Sequence, residues 1–202
     1  GVFFDVREQY QFAIVPGFET PHWAKGAVMY QIYTDRFCNG NQDNDVQTNE
    51  YFYINDTVKK VEDWEKIPAT LDVGNFYGGD LQGVWDKLDY LQKLGIEVLY
   101  FNPLFVSPSN HKYDCQDYEH IDPHLTVIKQ DGGNVLPKDC KDNTQASKYI
   151  TRTANLENLE ASNEYFARFC EELHRRGMRI IIDGVFNHSG SFNKWMDRER
   201  IY

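Results

Sequence analysis

Three short runs of strand-forming apolar residues, at 27–33, 96–101 and 178–185, alternate with two amphipathic helical stretches. That alternation constrains the fold most, because strands joined by helical crossovers build βαβ units and a parallel sheet. The first helical stretch, 83–94, sets Trp85, Leu88, Leu91 and Leu94 along one stripe, with Gly95 after it. The second, 161–176, ends in His174-Arg175-Arg176 followed by Gly177. A basic last turn suits the negative end of a helix, and glycine suits the left-handed residue beyond it. Two long polar segments, 34–80 and 102–158, follow the C-terminal ends of the first two strands. α/β folds place their sites there, and loops of such length are usually functional. Within them, 129–155 reads as a surface insertion. Three strands and two helices do not close an eight-stranded barrel of roughly 250 residues. The pattern therefore fits both a small open sheet and a piece of a larger barrel.

The chain's 202 residues suffice for one or two domains with a real core. Residues 1–15 hold short strand material, Val2-Phe3-Phe4 and then 10–15, with a turn and linker at 17–25. A piece this small has no core of its own and suits the tail of a domain lying upstream. Lys and Arg number 21 against 31 Asp and Glu, a formal net charge of -10. This excludes a nucleic-acid partner, which needs a basic face, and is compatible with an uncharged substrate. The 15% aromatic content suits sugar-stacking platforms and an ordinary core equally. No window approaches the roughly 20 apolar residues of a membrane span, and the first residues lack a signal-peptide pattern. The cysteines, Cys38, Cys115, Cys140 and Cys170, form no C-x-x-C pair. Reduced thiols are then the default, and Cys170 shares a helical face with Phe166, Phe169 and Leu173. This favours a cytoplasmic location over a secreted one.

Four constellations carry chemistry. The loop Asn39-Gly40-Asn41-Gln42-Asp43-Asn44-Asp45 alternates short oxygen donors as a hard cation requires. Glu50 stands where the last ligand of an EF-hand would, but Asn44 replaces that motif's glycine and a strand precedes the loop. A cation site and a solvated Asn/Asp turn both fit. Gly78-Gly79-Asp80, before the first helix, reads by itself as a turn with an N-cap carboxylate. His111-Lys112-Tyr113-Asp114 offers a ring to stack on a sugar and an imidazole to hydrogen-bond it. His120, His124, Cys115 and Cys140 are close in sequence, but their spacings match no zinc pattern. Asp183-Gly184-Val185-Phe186-Asn187-His188 follows the third strand, where polar residues sit on an active-site rim or merely cap a strand end.

Together, in this order, the motifs resemble glycoside hydrolase family 13, the α-amylase family, over about residues 17–195. Asp183 to His188 resembles its first signature region, on strand three of a (β/α)8 barrel. Tyr30-Gln31-Ile32-Tyr33-Thr34-Asp35-Arg36-Phe37 looks like its first strand. Gly78-Gly79-Asp80-Leu81-Gln82-Gly83 looks like the entry to its first helix, and Asn102-Pro103-Leu104-Phe105 through Asp114 like its second strand and loop. The nearest likeness is to the neopullulanase and cyclomaltodextrinase branch. The resemblance implies an α/β fold, with 25–202 as the N-terminal part of the barrel, about strands one to three. It makes 1–24 the linker and tail of an upstream β-sandwich.

The same resemblance implies a Ca2+ site of Asn39, Asn41, Asn44, Asp45, Gly78 and Asp80. It implies that Tyr113 stacks on sugar, that His111 and His188 bind it, and that Asp183 and Asn187 hold the rim. The expected partner is an α-glucan oligosaccharide with α-1,4 or also α-1,6 linkages, and the branch implies a homodimer of the parent enzyme. The family's mechanism uses a nucleophilic carboxylate and an acid/base carboxyl with retention. The resemblance puts these on strands four and five, so the expectation is that these 202 residues contain no catalytic carboxylate and no turnover of their own. Three other readings are weighed: a transglycosylase or isomerase of the same family, a non-catalytic sugar-binding fragment, and a small nucleotide-binding domain. The last lacks any G-x-G-x-x-G or P-loop.

Overall fold

A computed structural model describes residues 15–202. Of the expected linker and upstream tail at 1–24, residues 1–14 lie outside the described residues. Strand β1 (Met29–Ile32) leads into the first long loop, which carries four two-residue strands: β2 (Phe52–Tyr53), β3 (Asp56–Thr57), β4 (Lys59–Lys60) and β5 (Asn75–Phe76). Helices α1 (Leu81–Asp86) and α2 (Leu88–Lys93) precede β6 (Val98–Phe101). The second long loop holds β7 (Phe105–Val106), β8 (Asp117–Ile121) and α3 (Ser147–Ala154). Helix α4 (Leu156–Arg175) then returns the chain to β9 (Arg179–Ile182). β1, β6 and β9 pair in that order, all parallel, with Ile32 beside Phe101 and Phe101 beside Ile182. This is the strand-helix alternation expected from the sequence.

The first helical stretch is broken where one helix was expected. The Lys87 N–H bonds to Val84 O at 3.0 Å, a tightened turn that separates α1 from α2. The buried stripe is accordingly Leu81, Val84, Leu88 and Leu91, while Leu94 is exposed. Glycine ends both helical segments as expected. Gly95 (φ +83) and Gly177 (φ +74) are left-handed, and Ile96 N and Met178 N reach back to Leu91 O and Leu173 O at 3.1 and 2.9 Å. Those are the reverse bonds of a Schellman cap. Helix α4 starts earlier than expected because Asn155 caps it, accepting from Glu157 N and Asn158 N. Phe169 and Leu173 of α4 pack with Leu88, Leu99 and Phe101 under the sheet, and each such side chain contributes about 1.5–3 kcal/mol. Cys170 is only half-buried beside them.

The stretch 129–155 is not merely a surface insertion. Tyr149 and Arg152 of α3 are fully buried, and Tyr149 joins Tyr51, Val58, Phe76 and Phe192 in a second core. An alternating buried ionic chain runs beneath it. Lys112 Nζ lies 2.6 Å from Asp122, which His124 Nδ1 contacts at 2.9 Å. His124 Nε2 lies 2.8 Å from Glu50 Oε1, and Arg152 pairs with Glu50 Oε2 at 3.0 Å and with Asp131 at 2.6 Å. Arg152 also donates to the Asp45 carbonyl at 2.7 Å. The two long loops are therefore one packed unit, joined by charges that no sequence window shows together. No helix among the described residues is long and apolar enough to cross a membrane.

Candidate functional site

The C-terminal ends of β6 and β9 and the loop after β7 meet at Asp183. The Tyr100 and Tyr113 hydroxyls each donate to Asp183 Oδ2 at 3.0 Å, and Val185 N donates to Oδ1 at 3.2 Å. Burial, then the bond to Asp183, pushes the Tyr113 phenol up to about 12, so it stays a donor at neutral pH. His188 Nε2 donates to the Tyr113 carbonyl at 3.0 Å while Nδ1 accepts from Asn187 Nδ2 at 3.2 Å. Both ring nitrogens are thus engaged within the protein, through solvent-exposed bonds. The His111 and Tyr113 rings lie 5.9 Å apart. His111 Nδ1 accepts from Tyr113 N at 3.1 Å, and burial lowers the His111 pKa. Its neutral form then presents Nε2–H. The structure brings together the three expected sugar-binding residues, His111, Tyr113 and His188, and the two expected rim residues, Asp183 and Asn187. Tyr100 was missed, although its place in an otherwise aliphatic and phenylalanine strand run was a signal.

The loop between β7 and β8 is under backbone strain. Lys112, between His111 and Tyr113, has φ +63, and Val185 beside Asp183 has φ +48. A non-glycine residue there costs about 1–3 kcal/mol. Lys112 is held by its buried ammonium, which bonds Asp122 and the Ser107 carbonyl (3.0 Å). Asp114 anchors the far side of the turn, accepting from Ser107 Oγ at 2.7 Å, Ser109 Oγ and Tyr53 OH.

The Asn-rich loop closes onto the entry to α1. Asn39 Nδ2 donates to Asp45 Oδ1 at 2.8 Å. Gly78 packs against both, since a Cβ there would stand 2.4 Å from Asp45 Oδ1 and 2.6 Å from Asn39 Nδ2. Asn39 Oδ1, Asn44 Oδ1 and Asp45 Oδ2 are buried without a hydrogen bond. Lys60 Nζ approaches Asp45 Oδ2 at 2.9 Å as an ion pair, outside good hydrogen-bond geometry. Buried oxygens left without a hydrogen bond are costly, and three of them in one short loop are donors of the kind a hard cation takes. Burial raises the Asp45 pKa against the pull of Lys60, and a bound cation would reverse that. Two of the six expected ligands are otherwise engaged. Asp80 accepts from Gly40 N, Asn41 N, Asn44 Nδ2 and Gly83 N at 2.7–3.1 Å. Asn41 Oδ1 accepts from Asp43 N at 3.1 Å.

No zinc constellation forms among the described residues from Cys115, Cys140, His120 and His124. His124 is spent between Glu50 and Asp122, and Cys115 is buried. Asp117, Glu119 and His120 do converge. Lys194 and His120 already satisfy Asp117 at 2.8 and 2.7 Å, and Lys194 also bonds Glu119, which leaves little charge for a metal.

Residues 31–130 match the family model of the α-amylase catalytic domain. The chain belongs to the α-amylase family. Neopullulanase 2 of Thermoactinomyces vulgaris is 40% identical over 173 residues, 86% of this chain and 21% of that protein. The intracellular maltogenic amylase of Bacillus subtilis is 37% identical over 182 residues, 89% of this chain and 22% of that one. The type III pullulan hydrolase from Thermococcus kodakarensis superposes with a TM-score of 0.62 at 31% identity, over 89% of this chain and 26% of its own. This α-amylase-family chain thus spans about a fifth of the two curated relatives and a quarter of the solved structure.

Proposed function

We propose that this chain supplies strands one to three of a (β/α)8 barrel in a retaining α-glucan hydrolase acting on α-1,4, and also α-1,6, linkages. The observation that carries the reading is the convergence of Tyr100 and Tyr113 on Asp183, with His188 tied to the Tyr113 carbonyl. Tyr113 offers a ring face to a glucose unit. His111 offers its Nε2–H to the sugar's hydroxyls, and His188 offers its own Nε2–H in exchange for its solvent-exposed bond to the Tyr113 carbonyl. Asp183, holding two phenols, fixes the ring's tilt, and Asn187 sets the tautomer of His188. The four cysteines, free in the structure, favour a cytoplasmic setting. The deciding experiment is incubation of the intact protein with maltotriose, with products resolved by chromatography. Maltose and glucose retaining the α-configuration support hydrolysis. Longer oligosaccharides as main products would replace it with transglycosylation.

Asn39, Asn44, Asp45 and Gly78 are the residues that would hold Ca2+, with Asp80 shaping the loop around them and Asn41 capping it. The ion would supply positive charge that ties the first loop to the start of α1. Removing Ca2+ with EDTA is expected to lower Tm by roughly 5–10 °C, from about 2.7 kcal/mol at a hundredfold excess over Kd. Asn44→Ala should abolish the EDTA response, read by differential scanning fluorimetry. An unchanged Tm on EDTA treatment would leave the loop as a turn.

A further inference from the structure

Beyond the rim lies an exposed aromatic shelf that the site above does not use. Trp195 is 71% exposed and lies nearly parallel to Tyr118, with ring centroids 5.6 Å apart and planes at 16°. The Tyr118 hydroxyl donates to the His188 carbonyl at 2.6 Å and to Val185 O at 3.2 Å, so the shelf is fastened to the segment that carries the rim histidine. The turn presenting Trp195 is itself held. Trp195 N donates to the side chain of buried Asn193 at 3.1 Å, and Lys194 N donates to Gln116 O at 2.9 Å.

Tyr118, Val185, Phe186, His188, Ser189 and Trp195 line an open cleft of about 510 Å³, within the roughly 300–1,000 Å³ usual for small-molecule sites. The lining combines the rings of Tyr118, Phe186 and Trp195 with the His188 imidazole and the Ser189 hydroxyl. It bears no fixed charge, because nearby Lys194 is consumed by Asp117 and Glu119. A pyranose is built the same way, with a C–H-rich face and a hydroxyl-rich edge, whereas a phosphorylated ligand would find no cation. His188 belongs to both the rim and the cleft, so one ligand can run across both.

We propose that Trp195, backed by Tyr118, is a stacking platform for a further glucose ring of the bound α-glucan, beyond the ring at Tyr113. This rests on the proposed function and adds the length of substrate the site engages. The test is steady-state kinetics of the intact protein on maltotriose, maltopentaose and maltoheptaose. For Trp195→Ala the KM penalty should grow with chain length, reaching about tenfold for maltoheptaose. Trp195→Phe should recover most of it. Because the side chain is largely exposed, an unchanged circular dichroism spectrum is expected for both variants. A penalty equal at all lengths, or none, overturns the platform. So does a change in sedimentation with no length dependence, which would mark the shelf as a protein contact. A wild-type protein inert on every α-glucan would instead overturn the hydrolase reading, and the platform with it.

Discussion

Tyr113→Ala in the intact protein is expected to lower kcat/KM on maltooligosaccharides about a hundredfold, with Tm nearly unchanged. The substitution removes a ring face and also a donor to Asp183, whose remaining partners are Tyr100 and Val185 N. Misplacing a bound substrate by about 1 Å costs on the order of a hundredfold by itself. Tyr113→Phe separates the two contributions. It keeps the ring and loses one hydrogen bond worth about 1 kcal/mol, a loss of roughly fivefold. Stability should hold because Tyr113 is only partly buried and the turn is anchored by Lys112 and Asp114. Wild-type kcat/KM in the alanine variant would remove Tyr113 from the substrate site.

The second large effect is on stability. Glu50 is fully buried and accepts from His124 Nε2 and Arg152. Glu50→Ala leaves an imidazole and a guanidinium in the interior without that partner, which costs about 3–5 kcal/mol. At about 2–4 °C per kcal/mol for a chain of this size, Tm should fall by roughly 6–20 °C. The same pair carries a pH signature. Burial depresses the His124 pKa, but Glu50 and Asp122 outweigh it, and the net shift is upward. A raised histidine stabilises fully below its unfolded value of about 6.5 and loses that contribution as pH rises through the folded value. Asp122 behaves oppositely. Burial raises its pKa, Lys112 and His124 lower it further, and its contribution is lost only in strong acid. Tm should therefore decline on the alkaline side, and Glu50→Gln should flatten that decline. A Tm profile of Glu50→Gln parallel to wild type would exclude His124–Glu50 as its source.

The strands, the two terminal glycines and the rim motifs were legible because each is a local pattern. Apolar runs specify strands, and a glycine after a basic turn specifies a helix end. Asp183 to His188 were visible as chemistry at a strand end, and structure added Tyr100 as the second phenol on Asp183. The burial of 129–155 is set by non-local contacts. The polarity of 129–155 suggested solvent, but Arg152 is polar and fully buried. Its partner Glu50 is 102 positions away, and nothing in either window foretells the pair. The break at Lys87 and the early start of α4 after Asn155 are instead local cap and turn geometry, which the stripe of leucines does not encode.

The motif loop at Asn39 to Asp45 shows the division most clearly. Residue order alone shows that oxygen donors crowd this loop, that strands and helices alternate, and that aromatic and imidazole groups follow the second and third strands. Those are properties of residue type and spacing. Which of those oxygens keep a hydrogen-bond partner depends on how the loops pack. Asp80 is surrounded by N–H donors, while Asn39, Asn44 and Asp45 each keep a buried oxygen without a hydrogen bond, that of Asp45 facing only the Lys60 ammonium. The packing also decided that Trp195 stands beside His188's segment, because side chains distant in sequence meet only when strands pair and loops pack. Burial and hydrogen-bond satisfaction belong to the assembled molecule, and a residue's name does not carry them.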